Sequence, residues 1–255
     1  MSRNFELLQQ VGKEQDVFAS PAPAREAPVF EEVETVATPE PVPVPQDTVG
    51  IEEVRTLVQR VFLLTTERPP RTVVFTGTES GNGCSWISAR AAESLACQVS
   101  GSVCLVDANL RSPGLHEQFG VPNHHGLSDA LVRNEPMGIF VTPLTPRNLS
   151  LVSCGSSIEN VQGLVSSNRM RSRLKELQSM FDYVVVDSSA MSSANDAIAL
   201  GAATDGVILV LKANSSRKET ARNAVRDFQA ANVRVLGAVL NQRTFPIPDS
   251  IYNKF

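Results

Sequence analysis

Three short segments of the sequence carry residues that could bind a phosphate group and a metal ion. The first is GTESGNGCS at residues 77–85, where Gly81 and Gly83 would let backbone amides approach an anion. A helical pattern follows directly, and its N-terminus would add a partial positive charge. Compared with GxxxxGK[ST], the segment has Thr78 at the first glycine position and Cys84 at the lysine position. Taken alone, it is a weak match to a phosphate-binding loop.

The other two segments end apolar runs in acidic residues. LVDANLRSP presents Asp107, Asn109 and Arg111, and FDYVVVDSSA places Asp187 after four apolar residues. A carboxylate in such a position can lie near a phosphate-bound magnesium ion. Each acid also has a simpler explanation, because strands often end in aspartate at a turn. Chance does not easily explain three such segments in this order.

Alternating apolar runs and helical patterns place these segments at one edge of a sheet. The strand candidates are 72–76, 103–107, 149–153, 183–187, 207–211 and 235–240. The helical candidates are 50–64, 85–98, 126–133, 167–180, 195–203 and 217–231. Strands that are apolar throughout and are separated by helices indicate an α/β fold with a parallel sheet covered on both faces. In such sheets ligands bind at the carboxyl ends of the strands, where all three segments lie.

Composition and charge limit the classes of function. The chain has 255 residues and a net charge of −4, and residues 19–48 hold six acidic residues against one arginine. The remainder from residue 49 is therefore nearly neutral, which gives no electrostatic case for nucleic-acid binding. The four cysteines have no CxxC spacing, which favours a reduced, cytoplasmic setting. No apolar run approaches the roughly 18 residues that a membrane span needs.

The sequence predicts three regions. Residues 1–18 place Phe5, Leu8 and Val11 on one side of a short helix, with a frayed terminus as the alternative. Residues 19–48 contain seven prolines among acidic and small residues. Such a segment cannot bury enough apolar surface to fold, so we expect a disordered linker. One domain should then occupy residues 49–255.

From about Gly50 to the C-terminus the chain resembles the bacterial tyrosine autokinases of capsule and exopolysaccharide synthesis, within the MinD- and ParA-like P-loop ATPases. RTVVFTGTESGNGCSWISARAAESLA is similar to the Walker A segment of that family, and VCLVDANLRSPGLHEQFGV to its DxDxR motif. GLSDALV, FDYVVVD, NDAIALGAATDGVILVLKA and RVLGAVLNQ are similar to further blocks in the same order. The resemblance implies a three-layer P-loop NTPase fold with a mostly parallel, doubly wound sheet.

The resemblance also implies ATP and Mg²⁺ as cofactors, and it assigns roles to the matching residues. The implied nucleotide-binding residues are Gly81, Asn82, Gly83, Cys84, Ser85 and Asn241. The first four would hold phosphates through backbone amides, and the last would lie near the adenine. The implied metal ligands are Ser85, Asp107 and Asp187, and the implied catalytic residues are Asp107, Arg111 and Asp187.

Several departures from the family pattern fall within this site. Cys84 replaces the lysine that bridges the β- and γ-phosphates, although phosphoryl transfer relies on such charge neutralisation. Asn109 replaces the second aspartate of the DxDxR motif. At a helix N-terminus, Cys84 is either a reactive thiol of lowered pKa or a small inert substitute. Trp86 replaces a threonine, and we expect it to pack on the sheet rather than to fill space left by a ligand.

Two further features differ from the family pattern. Family members carry a C-terminal tyrosine cluster as their own substrate, whereas this tail has only Tyr252, either a single phosphoacceptor or an apolar anchor. The helix at the start of the domain resembles an ExxRxxR oligomerisation motif through Glu52 and Arg55, with Val58 at the third position. The sequence therefore leaves open whether the protein forms a homo-oligomer.

These observations favour a degenerate, catalytically silent kinase-fold protein of exopolysaccharide or capsule synthesis. It would be cytoplasmic, at the inner face of the plasma membrane, and would bind a membrane-spanning polysaccharide co-polymerase or an active kinase paralogue. One alternative is an active ATP-dependent protein-tyrosine autokinase with a variant loop, supported by Ser85, Asp107, Arg111 and Asp187. A MinD- or ParA-like ATPase is the other, although it would need a lysine where this chain has Glu79.

Overall fold

The computed structural model describes residues 48–64, 69–146, 148–156, 161–193 and 195–243. The helix predicted over residues 1–18 and the candidate phosphoacceptor Tyr252 lie outside these ranges. So does all of the predicted linker except its last residue, Thr48, which begins the first helix.

Within the described ranges, seven strands form one sheet. They are β1 (Thr72–Gly77), β2 (Val103–Ala108), β3 (Thr142–Pro143), β4 (Leu149–Val152), β5 (Tyr183–Ser188), β6 (Gly206–Lys212) and β7 (Val235–Asn241). Their spatial order is β3-β4-β2-β5-β1-β6-β7. Neighbours run parallel except β3 and β4, which are antiparallel. The predicted α/β fold with a mostly parallel sheet is confirmed.

Helices connect the strands. They are α1 (Thr48–Val58), α2 (Cys84–Gln98), α3 (Leu115–Phe119), α4 (Leu127–Val132), α5 (Val161–Val165), α6 (Asn168–Met180), α7 (Asp196–Gly201) and α8 (Lys218–Ala230). A π-helical turn (Gln59–Leu63) extends α1, and a 3₁₀ turn (Met137–Phe140) precedes β3. Among the described residues, no helix combines the length and apolar character that crossing a membrane requires.

The core lies on both faces of the sheet. Successive strand residues point to opposite faces, so Val74 and Val106 belong to one buried cluster and Val73 and Leu105 to the other. Because both faces are covered, the strands are apolar throughout. The central strands β2, β5 and β1 are adjacent, and their carboxyl ends therefore bring together three loops that are far apart in sequence.

Four short elements were not predicted: α3, the 3₁₀ turn, β3 and α5. Each has five residues or fewer. A segment this short does not complete two helical turns or a clear strand alternation, so it gives no periodic signal. The six predicted strands and the longer helices agree with the structure to within about two residues at each end.

Candidate functional site

The loop between β1 and α2 has the backbone shape of an anion-binding turn. Gly81 and Gly83 adopt left-handed conformations, with φ of 82° and 80°. Gly83 is the N-cap residue of α2 and has no side chain that could cap the helix. The Ile87 amide donates to the Gly83 carbonyl at 3.0 Å. The amides of the first turn before Ile87 are therefore not used by the helix and are available to an anion.

Two asparagine side chains hold the loop in this shape. The Asn82 side-chain amide donates to Thr78 Oγ1 at 2.9 Å and to the Val210 carbonyl at 3.1 Å. The Asn241 side-chain amide donates to the Asn82 carbonyl at 2.9 Å. The structure thus places Asn241 against the loop between β1 and α2. It also gives the buried Asn82 side chain a bracing role that the sequence did not predict.

We expect Gly83→Ala to destabilise the protein by about 2–4 kcal/mol, because φ is positive there and the added Cβ would collide with the side-chain nitrogen of Asn241. Gly81→Ala is the matched control. It has nearly the same φ, but no atom of the described residues lies within 4 Å of the added Cβ, so we expect a loss of about 1 kcal/mol. Urea unfolding of both variants measures the difference, and equal losses would contradict the predicted collision.

A cleft of about 360 Å³ opens at the carboxyl ends of β1, β2 and β5. Of the predicted site residues, Gly81, Asn82, Gly83, Cys84, Ser85 and Arg111 line it. Asp107 and Asp187 are fully buried, at 0% exposure. The residue predicted to pack on the sheet, Trp86, is 40% exposed and lines the cleft. That prediction was wrong, because Trp86, in the first turn of α2, contributes to the cleft wall instead of the core.

Asp187 is a buried acid whose carboxylate oxygens accept no hydrogen bond from the described residues. It lies beside Asp107 in the register of β5 and β2. Burial, reinforced by the negative charge of Asp107, raises the pKa of Asp187 to about 7. Side chains of Ser85, Cys84 and Ser88 approach and partly offset this rise, yet within the described part of the chain no group donates a hydrogen bond to either carboxylate oxygen. An orphaned buried carboxylate of this kind fits a nearby cation.

Asp107 has a different environment. Its Oδ1 accepts from the Asn109 amide at 3.2 Å, and its Oδ2 accepts from the amides of Gly114 and Leu115 at 3.2 and 3.1 Å. Burial raises the pKa of Asp107 to about 6, although these backbone hydrogen bonds oppose the rise. Asp107 therefore shapes the loop after β2, and much of its capacity to accept is already used.

Cys84 is half-buried beside Asp187. Burial and the negative charge of Asp187 raise the pKa of the Cys84 thiol well above its ordinary value. This environment therefore favours the small inert substitute over a reactive thiolate. Thiolates are favoured near cations, whereas here the nearest charge is a carboxylate.

Arg111 reaches across the cleft to α7. Its Nε donates to Asp196 Oδ2 at 3.1 Å, and Ser189 Oγ donates to the same oxygen at 3.0 Å. The Asp196 side chain is 2% exposed, against 34% for Arg111. Sequence reasoning missed Asp196, whose only signal was its place in the NDAIALG block that resembles the family.

Some of the residues at the cleft fit a magnesium ion that is also bound to phosphate. Among the described residues, no group of three or more histidine, cysteine, aspartate or glutamate side chains could hold a metal ion by itself. Magnesium bound to phosphate needs only one or two protein carboxylates. Ser85 and the unpartnered Asp187 are the side chains that would hold it, and the bound ion would neutralise phosphate charge.

Proteins of similar sequence agree in the type of activity they are named for. CapB of Staphylococcus aureus is 25% identical over 208 residues, which cover 82% of this chain and 90% of that protein. Tyrosine-protein kinase YwqD of Bacillus subtilis is 29% identical over 190 residues, 74% of this chain and 80% of that protein. The chain is a homologue of the bacterial tyrosine-protein kinases. No family model matches it.

Solved structures show the same fold for this kinase homologue. The chimerical protein CapA2B2 has a TM-score of 0.71 at 23% identity, over 76% of this chain and 85% of that one. The kinase domain of Escherichia coli tyrosine kinase ETK has a TM-score of 0.70 at 23% identity, over 78% and 79%. Cobyrinic acid a,c-diamide synthase from Mycobacterium smegmatis, with a bound ATP analog and magnesium, has a TM-score of 0.59 at 16% identity, over 72% and 81%.

Proposed function

We propose that this kinase homologue is a catalytically silent relative that binds a nucleotide phosphate weakly and acts as a regulatory subunit. One observation carries the proposal. Among the described residues, Arg111 is the only cationic side chain that lines the cleft, and Glu79 lines it as well. The lysine position holds the Cys84 thiol, which faces a buried carboxylate. Transfer of a phosphoryl group depends on neutralising its charge, and this cleft offers little positive charge.

Arg90 does not compensate for the missing lysine. Its Nη1 atom forms an ion pair with Glu93 Oε2 at 2.8 Å, and Arg90 is not among the residues that line the cleft. The loop amides and the α2 N-terminus can still orient a phosphate group. Ser85 and Asp187 would hold a magnesium ion there. We infer that the site retains weak binding without the charge needed for turnover.

The proposed setting follows from the family that the chain resembles. The protein would lie in the cytoplasm at the inner face of the plasma membrane, as part of exopolysaccharide or capsule assembly. Its partner would be a membrane-spanning polysaccharide co-polymerase or an active kinase paralogue. Co-purification from detergent extracts, with the co-polymerase and the paralogue expressed separately, tests which partner binds.

Isothermal titration with ATP and MgCl₂ tests the enzymatic part of the proposal. We expect weak heats, no phosphate release and no phosphotyrosine on the purified full chain. Micromolar binding together with phosphate release would overturn the proposal. Phosphotyrosine that disappears in an Asp107→Ala variant would instead support an active autokinase with a variant loop. Phosphate release without phosphotyrosine would support a MinD- or ParA-like ATPase.

A further inference from the structure

We propose that Asp196 is a positioning residue that fixes the Arg111 guanidinium at the cleft, so that Arg111 supplies a bound phosphate with positive charge. This inference rests on the proposed phosphate-binding role of the cleft and names the side-chain pair on which that role depends. The ligand class is a phosphate or diphosphate anion. Asp196 would act only through Arg111.

The contacts fix one edge of the guanidinium and leave the other free. Arg111 Nε donates to Asp196 Oδ2 at 3.1 Å. Among the described residues, no hydrogen-bond partner of the Arg111 Nη groups is found, and Arg111 lines the cleft. The guanidinium is rigid and planar, so holding Nε sets the plane in which the Nη groups lie. Two N–H donors in a fixed plane suit the oxygens of a phosphate.

The carboxylate is itself rigidly held. Ser189 Oγ donates to Asp196 Oδ2 at 3.0 Å, and Asp196 is the first residue of α7. Ser189 follows β5, whereas Arg111 follows β2. Both of these residues line the cleft, so the buried carboxylate ties two of its walls together.

Stability alone does not account well for this ion pair. The second oxygen, Asp196 Oδ1, is buried and has no hydrogen-bond partner among the residues that the structure describes. A buried carboxylate with an unpaired oxygen carries an uncompensated desolvation cost, and buried ion pairs are weak stabilisers. An arrangement that leaves one oxygen unsatisfied while it orients a half-exposed arginine is better explained by the arginine's position at the cleft.

Titration of the full chain with inorganic pyrophosphate at fixed ionic strength tests the inference. We expect Arg111→Gln to weaken binding by about tenfold or more, and Asp196→Asn by about fivefold, since the arginine stays but a neutral amide holds it less firmly than a carboxylate. The double variant should bind like Arg111→Gln alone. Glu176→Gln, which removes the remote Arg173–Glu176 pair, is the control and should leave the affinity unchanged.

A second readout follows Arg111 directly. In the wild type we expect a protected ¹⁵Nε–H resonance that is absent from Arg111→Gln and that exchanges rapidly in Asp196→Asn. If Asp196→Asn does not fold, the Arg111→Lys variant provides a second test of the inference. Its ammonium should be captured by Asp196, so it should bind pyrophosphate no better than Arg111→Gln.

Three results would overturn the inference. The first is an unchanged pyrophosphate affinity in Asp196→Asn. The second is a double variant in which Asp196→Asn lowers the affinity of Arg111→Gln by the same factor as it lowers that of the wild type. The third is no pyrophosphate binding by the wild type. ATP turnover by the wild type would overturn the silent-kinase proposal alone. The two failures are therefore distinguishable, because pyrophosphate binding is measured without turnover.

Discussion

Replacing Cys84 with lysine is expected to raise the affinity for ATP with magnesium by about 10- to 100-fold, which is the effect of one or two charge-assisted hydrogen bonds. The loop around position 84 already has the required backbone turn, with both glycines left-handed and the Asn82 and Asn241 braces in place. The side chain at position 84 lines the cleft beside Asp187. A lysine there would meet a carboxylate and a phosphate instead of open solvent.

Isothermal titration measures the gain, and Cys84→Met is the matched control because it adds length without charge. We expect phosphate release to stay absent in Cys84→Lys. The DxDxR motif still has Asn109 at its second acid, and Asp107 is engaged by three backbone amides. An equal gain in Cys84→Met would show that filling space, rather than charge, limits binding. Rapid turnover in Cys84→Lys would show that the lysine alone had been missing.

The fold could be predicted because burial on two faces leaves a simple pattern. A strand such as β5, whose residues Val184–Val186 are fully buried, must be apolar at consecutive positions. Helices of thirteen residues or more, such as α6 and α8, complete several turns and show a clear apolar stripe. The order of the three polar segments then placed the cleft, since the carboxyl ends of parallel strands share one edge.

The contacts inside the site could not be predicted in the same way. Arg111 meets Asp196 across 85 residues, and Asn82 meets the Val210 carbonyl across 128. No periodic pattern connects such positions, because these contacts depend on how the loops fold over the sheet edge. For the same reason the sequence could not show that the Asp107 oxygens are engaged by backbone amides, whereas those of Asp187 are not.

The wrong expectation for Trp86 and the disfavoured alternative of a reactive Cys84 thiol have a common physical cause. A helix N-terminus favours a thiolate at Cys84, but burial and the adjacent Asp187 outweigh it. Aromatic rings usually lie in cores, but Trp86 lies on the side of the first turn of α2 that faces the cleft. In both cases the immediate neighbours of the residue, rather than the average preference of its type, determine its environment.

Asp187→Asn is expected to stabilise the ligand-free protein by about 2–4 kcal/mol near pH 8, where burial of an ionised carboxylate is most unfavourable. The pKa of Asp187 is about 7 in the folded protein, against an ordinary value of 3.8. Folding therefore takes up a proton between these values, and the contribution of Asp187 to stability is fully present below about pH 4 and is lost as the pH rises through about 7. Asparagine is neutral throughout, so the gain should vanish in acid.

The neighbouring acid should respond in the opposite direction. Asp107→Asn places an amide nitrogen opposite at least one backbone N–H donor, because both carboxylate oxygens accept such hydrogen bonds. We expect it to destabilise the protein by about 1–3 kcal/mol despite the removal of a buried charge. Urea unfolding of both variants in acid and in mild base measures the contrast. Stabilisation by both substitutions would mean that charge repulsion outweighs the backbone hydrogen bonds at Asp107. Destabilisation by both would mean that Asp187 has a partner as necessary to the fold as those of Asp107.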